Sequence, residues 1–70
     1  MRKISVSLSG HNTSISLEDE FADALKKIAA ADKTSIAAII NSIDTARHAD
    51  TNLSSETRIW ILRRLTTKKI

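Results

Sequence analysis

The chain of 70 residues has no cysteine, which excludes disulfide bridges and thiolate metal centres. Its two histidines, His11 and His48, are too few for a structural zinc site unless carboxylates join them. A single glycine, Gly10, leaves no glycine loop to cradle phosphate. No Ser/His/Asp set and no metal-ligand spacing is present. The reading is a protein that is not an enzyme and needs no metal or cofactor. No apolar run approaches the roughly 20 residues that cross a bilayer. Met1-Arg2-Lys3 ahead of Ile-Ser-Val-Ser-Leu resembles the opening of a signal peptide, but serines interrupt the apolar run. A cytoplasmic protein with no membrane partner is expected. The matches to the glycosylation pattern, Asn12-Thr13-Ser14 and Asn52-Leu53-Ser54, are then accidental.

Seventy residues form one domain with a small core. Scaffolds of this size are usually held together by disulfides, a metal or a partner chain. With the first two excluded, a homodimer is expected. The net charge of +3 doubles on dimerisation and mildly favours a polyanionic partner.

What is present begins with two alternating runs, Lys-Ile-Ser-Val-Ser-Leu-Ser at 3–9 and Thr-Ser-Ile-Ser-Leu at 13–17. Strict alternation marks a strand with one buried face. Strands are predicted at 3–9 and 12–17. Gly10-His11 as a two-residue turn, with glycine at the first central position, sets a hairpin register. In it Leu8 faces Thr13, Val6 faces Ile15, Ile4 faces Leu17 and Lys3 faces Glu18, with Ser5 and Ser7 opposite Ser16 and Ser14. Every apolar residue then shares one face.

Three helices follow, predicted at 18–32, 35–48 and 54–67. Glu18, Asp19 and Glu20 suit the positive end of the first helix dipole, and Phe21, Leu25, Ile28 and Ala29 recur on one face. No glycine is available for a left-handed cap at its end, so strain is expected at Asp32 or Lys33. Thr34 or Ser35 caps the second helix, whose stripe is Ile36, Ile39, Ile40 and Ile43. Asn52-Leu53-Ser54-Ser55 opens the third. Its run Ile59-Trp60-Ile61-Leu62 cannot share one face, so this helix is expected to touch two surfaces, its own core and a partner subunit. The basic tail 66–70 is expected to fray.

Strand, helix, capped connection and helix, carried by Thr13-Ser-Ile-Ser-Leu, Phe21-Ala-Asp-Ala-Leu-Lys-Lys-Ile-Ala and Thr34-Ser-Ile-Ala-Ala-Ile-Ile, resemble the ribbon-helix-helix family of Arc- and MetJ-like domains. The stretch from Gly10 to Glu18, with Asn52-Leu-Ser-Ser ahead of a third helix, is similar to a bacterial subgroup of that family. The resemblance implies an α+β fold over residues 1–70: an N-terminal strand or hairpin, three helices and an intertwined homodimer. It implies a transcriptional regulator or antitoxin-like repressor of double-stranded DNA, with a β-ribbon in the major groove. By position, Asn12, Ser14 and Ser16 contact bases while Thr13, Ile15 and Leu17 face inward. Lys33, Thr34 and Ser35 hold phosphate where backbone N–H groups open the second helix. Ile15, Leu17, Ile36, Ile39, Ile40, Ile43 and Trp60 form the dimer core.

Two departures keep an alternative open. The base-reading positions carry no arginine or lysine. If residues 3–9 fold back on 13–17, a dimer would present four strands spanning roughly 14 Å to a groove about 12 Å wide. Either the first strand moves aside, or the same dimeric scaffold serves as a protein-interaction module. Plainer readings stand beside the sharp ones: the serine face (Ser5, Ser7, Ser9, Ser14, Ser16) as solvated sheet, Lys33 to Ser35 as simple capping, and His11 as a turn residue. His48 is read as salt-linked to Asp44, and Arg58, Arg63, Arg64, Lys68 and Lys69 as a solvated basic face. Trp60 is read as core at the dimer seam rather than a separate partner-binding anchor.

Overall fold

The computed structural model describes residues 1–8 and 10–66. Two strands, β1 (Arg2–Leu8) and β2 (His11–Leu17), form an antiparallel hairpin. Three helices follow: α1 (Asp19–Ala31), α2 (Ile36–Ala46) and α3 (Leu53–Thr66). The ends differ from the expected ranges by one or two residues. Ser9, expected in the first strand, Thr67, expected in the last helix, and the tail residues Lys68, Lys69 and Ile70 lie outside the described residues.

The hairpin register differs from the expected one by two residues. Leu8 pairs with His11, Val6 with Thr13, Ile4 with Ile15 and Arg2 with Leu17. Gly10, at φ 89°, therefore directly precedes His11 at the end of the connection, in the second central position rather than the first. A two-residue slip leaves every side chain on its original face, so the hydrophobic pattern is blind to it. Glu18 decides the matter. The expected register holds it in the strand opposite Lys3, whereas it precedes the first turn of α1 and its carbonyl accepts from Ala22 N–H at 2.9 Å. Lys3 faces Ser16 instead.

The alternation does what a one-sided sheet requires. Val6, Leu8, Ile15 and Leu17 are buried, with Ile4 and Thr13 half-buried beside them, while Lys3, Ser5, Ser7, Asn12, Ser14 and Ser16 are exposed on the other face. The helices close over the buried face with Ala22, Leu25, Ile28 and Ala29 from α1, Ile39, Ile40 and Ile43 from α2, and Ile61 from α3. Thr57 is fully buried, and its hydroxyl donates to the Leu53 carbonyl at 2.8 Å. One chain thus encloses Ile15, Leu17, Ile39, Ile40 and Ile43 by itself, with Ile36 and Trp60 half-buried at the margin.

The left-handed residue after α1 is Lys33, at φ 55°. Thr34 N–H reaches the Ala29 carbonyl at 3.0 Å and Lys33 N–H the Ala30 carbonyl at 3.2 Å. This is the paired-bond helix ending that glycine usually occupies.

Candidate nucleic-acid interface

The proposed base-reading residues sit where the alternation puts them. Asn12, Ser14 and Ser16 are all exposed on the outer face of β2, and across the ladder they stand beside Ser7, Ser5 and Lys3. The outer face of the hairpin is thus a six-residue polar strip with one cation. It is built inside a single chain and is only two strands wide, about 5 Å between backbones.

Lys33, Thr34 and Ser35 are brought together in the α1–α2 turn, and all three are exposed. Ser35 is the cap: its Oγ accepts from Ala38 N–H at 3.0 Å. Among the described residues no hydrogen bond or ion pair links this turn to the hairpin strip. Ser35→Ala is expected to destabilise the fold by about 1 kcal/mol, because an N–H at the start of α2 loses its acceptor. Urea unfolding reads the difference, and a Ser35→Asp variant should recover most of it.

Three features had no signal in the sequence reading. Arg58 on α3 donates from Nε to Glu18 Oε1 at 2.7 Å and from Nη2 to the Ser16 carbonyl at 3.3 Å. The Ser16 N–H donates to Ser54 Oγ at 3.2 Å. Both peptide groups of Ser16 therefore point away from β1 and are engaged by α3. Alternate residues of a strand turn these groups to the same edge, so this is the edge at which a strand from a second chain would pair. The third feature is Arg64, whose guanidinium holds both carboxylate oxygens of Asp32, with Nη1 to Oδ2 at 2.6 Å, and lies 5.9 Å from the Trp60 ring centroid.

These contacts correct two expectations. Arg58, half-buried, and Arg64, exposed, are not merely hydrated charges, since each closes an ion pair to a distant segment. The Asp44 carboxylate pairs with Arg47 Nε at 2.8 Å rather than with His48. Arg47 also donates to the Thr51 carbonyl at 2.6 Å, fastening the α2–α3 connection. Here a local signal existed, because Asp44 and Arg47 are spaced i, i+3. His48 follows the end of α2, and its carbonyl accepts from the Thr51 hydroxyl at 2.8 Å.

The two long-range pairs set an acid limit. The hydrogen bond from Arg58 holds the Glu18 carboxyl below its ordinary 4.5, and that from Arg64 holds Asp32 below its ordinary 3.8. A carboxyl depressed in the folded state adds stability above its unfolded pKa and loses it as pH falls through the folded value. The melting temperature should therefore hold from neutral pH down to the ordinary values and fall below them. Arg58→Ala together with Arg64→Ala should flatten that fall, as thermal melts across the acid range would show. Both carboxylates are solvent-facing, so the effect is small.

No helix among the described residues is long and apolar enough to cross a membrane, and no group of three or more His, Cys, Asp or Glu residues is placed to hold a metal among them. No curated protein and no solved structure matches the chain. A family model does, that of the ribbon-helix-helix domain, over residues 1–65. With the two-strand hairpin and the helices that follow it, that match places the chain in the ribbon-helix-helix domain family, which generally binds DNA as dimers in transcription regulation and is typically non-enzymatic.

Proposed function

We propose that this chain is a dimeric, cytoplasmic DNA-binding protein of a bacterial, antitoxin-like kind that regulates transcription, with the outer face of its own hairpin as the reading ribbon. One observation carries the reading. Asn12, Ser14 and Ser16 stand exposed in alternation on β2 while their neighbours Ile15 and Leu17 are buried beneath them. Asn pairs with adenine through its amide, and serine hydroxyls donate or accept with several bases. A two-stranded ribbon enters a major groove about 12 Å wide, where a four-stranded sheet fits badly. Lys33, Thr34 and Ser35 provide the phosphate anchor, with the charge on Lys33 and free N–H groups at the start of α2.

The test is a fluorescence-anisotropy titration of duplex fragments over a salt series. Lys3 and Lys33 from two protomers neutralise about four phosphates, so affinity should fall roughly a hundredfold between 50 and 200 mM salt. Lys33→Gly removes the charge and relieves a left-handed lysine. It should leave folding intact while weakening all sequences alike, with a salt slope shallower by about one per protomer. Asn12→Ala with Ser14→Ala should instead relax sequence preference. No duplex binding at low salt would end this reading.

A second reading is favoured by the hairpin itself. β1 is paired along its whole length and α3 engages the edge of β2 at Ser16. A scaffold closed in this way suits a protein-interaction module, which absent duplex binding in a folded dimer would select.

A further inference from the structure

We propose that α3 is a latch on self-association: Ser54 and Arg58 hold the strand edge through which two copies pair, and must release it before the pairing is complete. Ser16 turns its N–H and carbonyl away from β1 and toward α3. Ser14 and Asn12, two and four residues back, therefore turn theirs to the same edge. A second β2 laid antiparallel across a twofold axis through Ser14 sets Ser16 against the partner subunit's Asn12, Ser14 against the partner subunit's Ser14, and Asn12 against the partner subunit's Ser16. Each facing pair exchanges two hydrogen bonds, and the two outer pairs both need the peptide groups of a Ser16.

Within one chain those groups are already taken. The Ser16 N–H has one hydrogen to donate, and Ser54 Oγ accepts it at 3.2 Å. The Ser16 carbonyl accepts from Arg58 Nη2 at 3.3 Å, on the side from which a second strand would come. Arg58 is fixed there by Glu18 Oε1 at 2.7 Å, and α3 itself is seated by the fully buried Thr57 and Ile61. The other end of the edge is open. Among the described residues no side chain reaches the peptide groups of Asn12 or Ser14 with a hydrogen bond. Beside Ser14 lies a cleft of about 270 Å³ between the hairpin and the start of α3, with Thr13 and Leu53 among its lining residues. Pairing thus begins at Ser14 and is opposed at Ser16. Because the same peptide groups serve both states, loosening α3 from Ser16 favours the pair, and pairing loosens α3. The proposal rests on the dimeric part of the reading above but not on DNA binding, and its readout is mass rather than affinity for duplex.

Sedimentation of the full chain across micromolar to submillimolar concentrations tests it, with circular dichroism on each sample. Ser54→Ala deletes the acceptor of the Ser16 N–H. A hydrogen bond shifts an equilibrium roughly fivefold and each protomer gives one up, so the variant should associate about tenfold or more tightly than the wild type. Ser54→Thr keeps the hydroxyl and should associate as the wild type does. The sign separates a latch from an ordinary packing contact, whose loss would weaken association or leave it unchanged. A Ser54→Ala chain no tighter than the wild type overturns the proposal. Amide hydrogen exchange of the wild type tests it without a variant, and so decides if Ser54→Ala fails to fold. In dilute solution the Ser16 N–H should be protected while those of Asn12 and Ser14 exchange freely, and all three should be protected at high concentration. Equal exchange at the three positions in dilute solution overturns the proposal. Duplex titration of the same samples reports separately on DNA binding.

Discussion

Leu25→Ala should destabilise the fold by about 2–5 kcal/mol, the range for removing a buried leucine side chain and leaving a partly collapsed cavity. Leu25 is fully buried on α1 and belongs to the core cluster with Leu17, Ile40 and Ile61. A chain of this length carries a total stability of roughly 4–10 kcal/mol, so the substitution removes much of it and can leave the chain largely unfolded near body temperature. Leu62→Ala is the matched control: the same chemical change at a site more than half exposed should cost under about 0.5 kcal/mol. Urea melts at equal protein concentration measure both. Equal losses at the two positions would mean that the interior is not where the fold places it.

Gly10→Ala should cost about 1–2 kcal/mol, for a reason unrelated to space. A Cβ at Gly10 meets nothing within 4 Å, so crowding contributes nothing. The backbone is at φ 89°, a region that an L-residue enters only at a cost of this order. Gly10→Asn should cost less than alanine, because asparagine tolerates left-handed backbone, and Gly10→Val should cost more than either. A series ranked by side-chain volume alone, with asparagine no better than its size predicts, would contradict the backbone argument. The turn also selects the register, since the alternating strands accept a slip of two residues without moving any side chain to the other face.

Much of the architecture is written in local patterns. The serine and isoleucine alternation gives both strands and their buried face. The stripe Ile36, Ile39, Ile40 and Ile43 gives the inner face of α2, of which Ile39, Ile40 and Ile43 are buried. The missing glycine after α1 points to strain at Asp32 or Lys33, and Lys33 bears it. The four-residue apolar run of α3 divides between a buried Ile61 and an exposed Ile59 and Leu62, as a run wider than one face must. The hairpin register was not legible, because a period of two cannot distinguish slips of two. The pairs Arg58 with Glu18 and Arg64 with Asp32 span 40 and 32 residues, and no spacing rule reaches so far. The same holds for Ser54 at the edge of β2. As for the candidate interface, alternation fixes which side chains of β2 face outward, but the role of that face depends on what approaches it.

The grip of α3 on Ser16 has a consequence for solubility. An unprotected strand edge is a template on which further copies add without limit, and alternating Ile and Leu residues make an adhesive one. Here two side chains of α3 occupy the N–H and carbonyl of Ser16, next to the C-terminal end of β2, so a newcomer cannot pair along the whole strand. A chain shortened ahead of Ser54 would lose this stopper and tend toward fibrous aggregates, so the third helix also protects the protein from polymerising along its own hairpin.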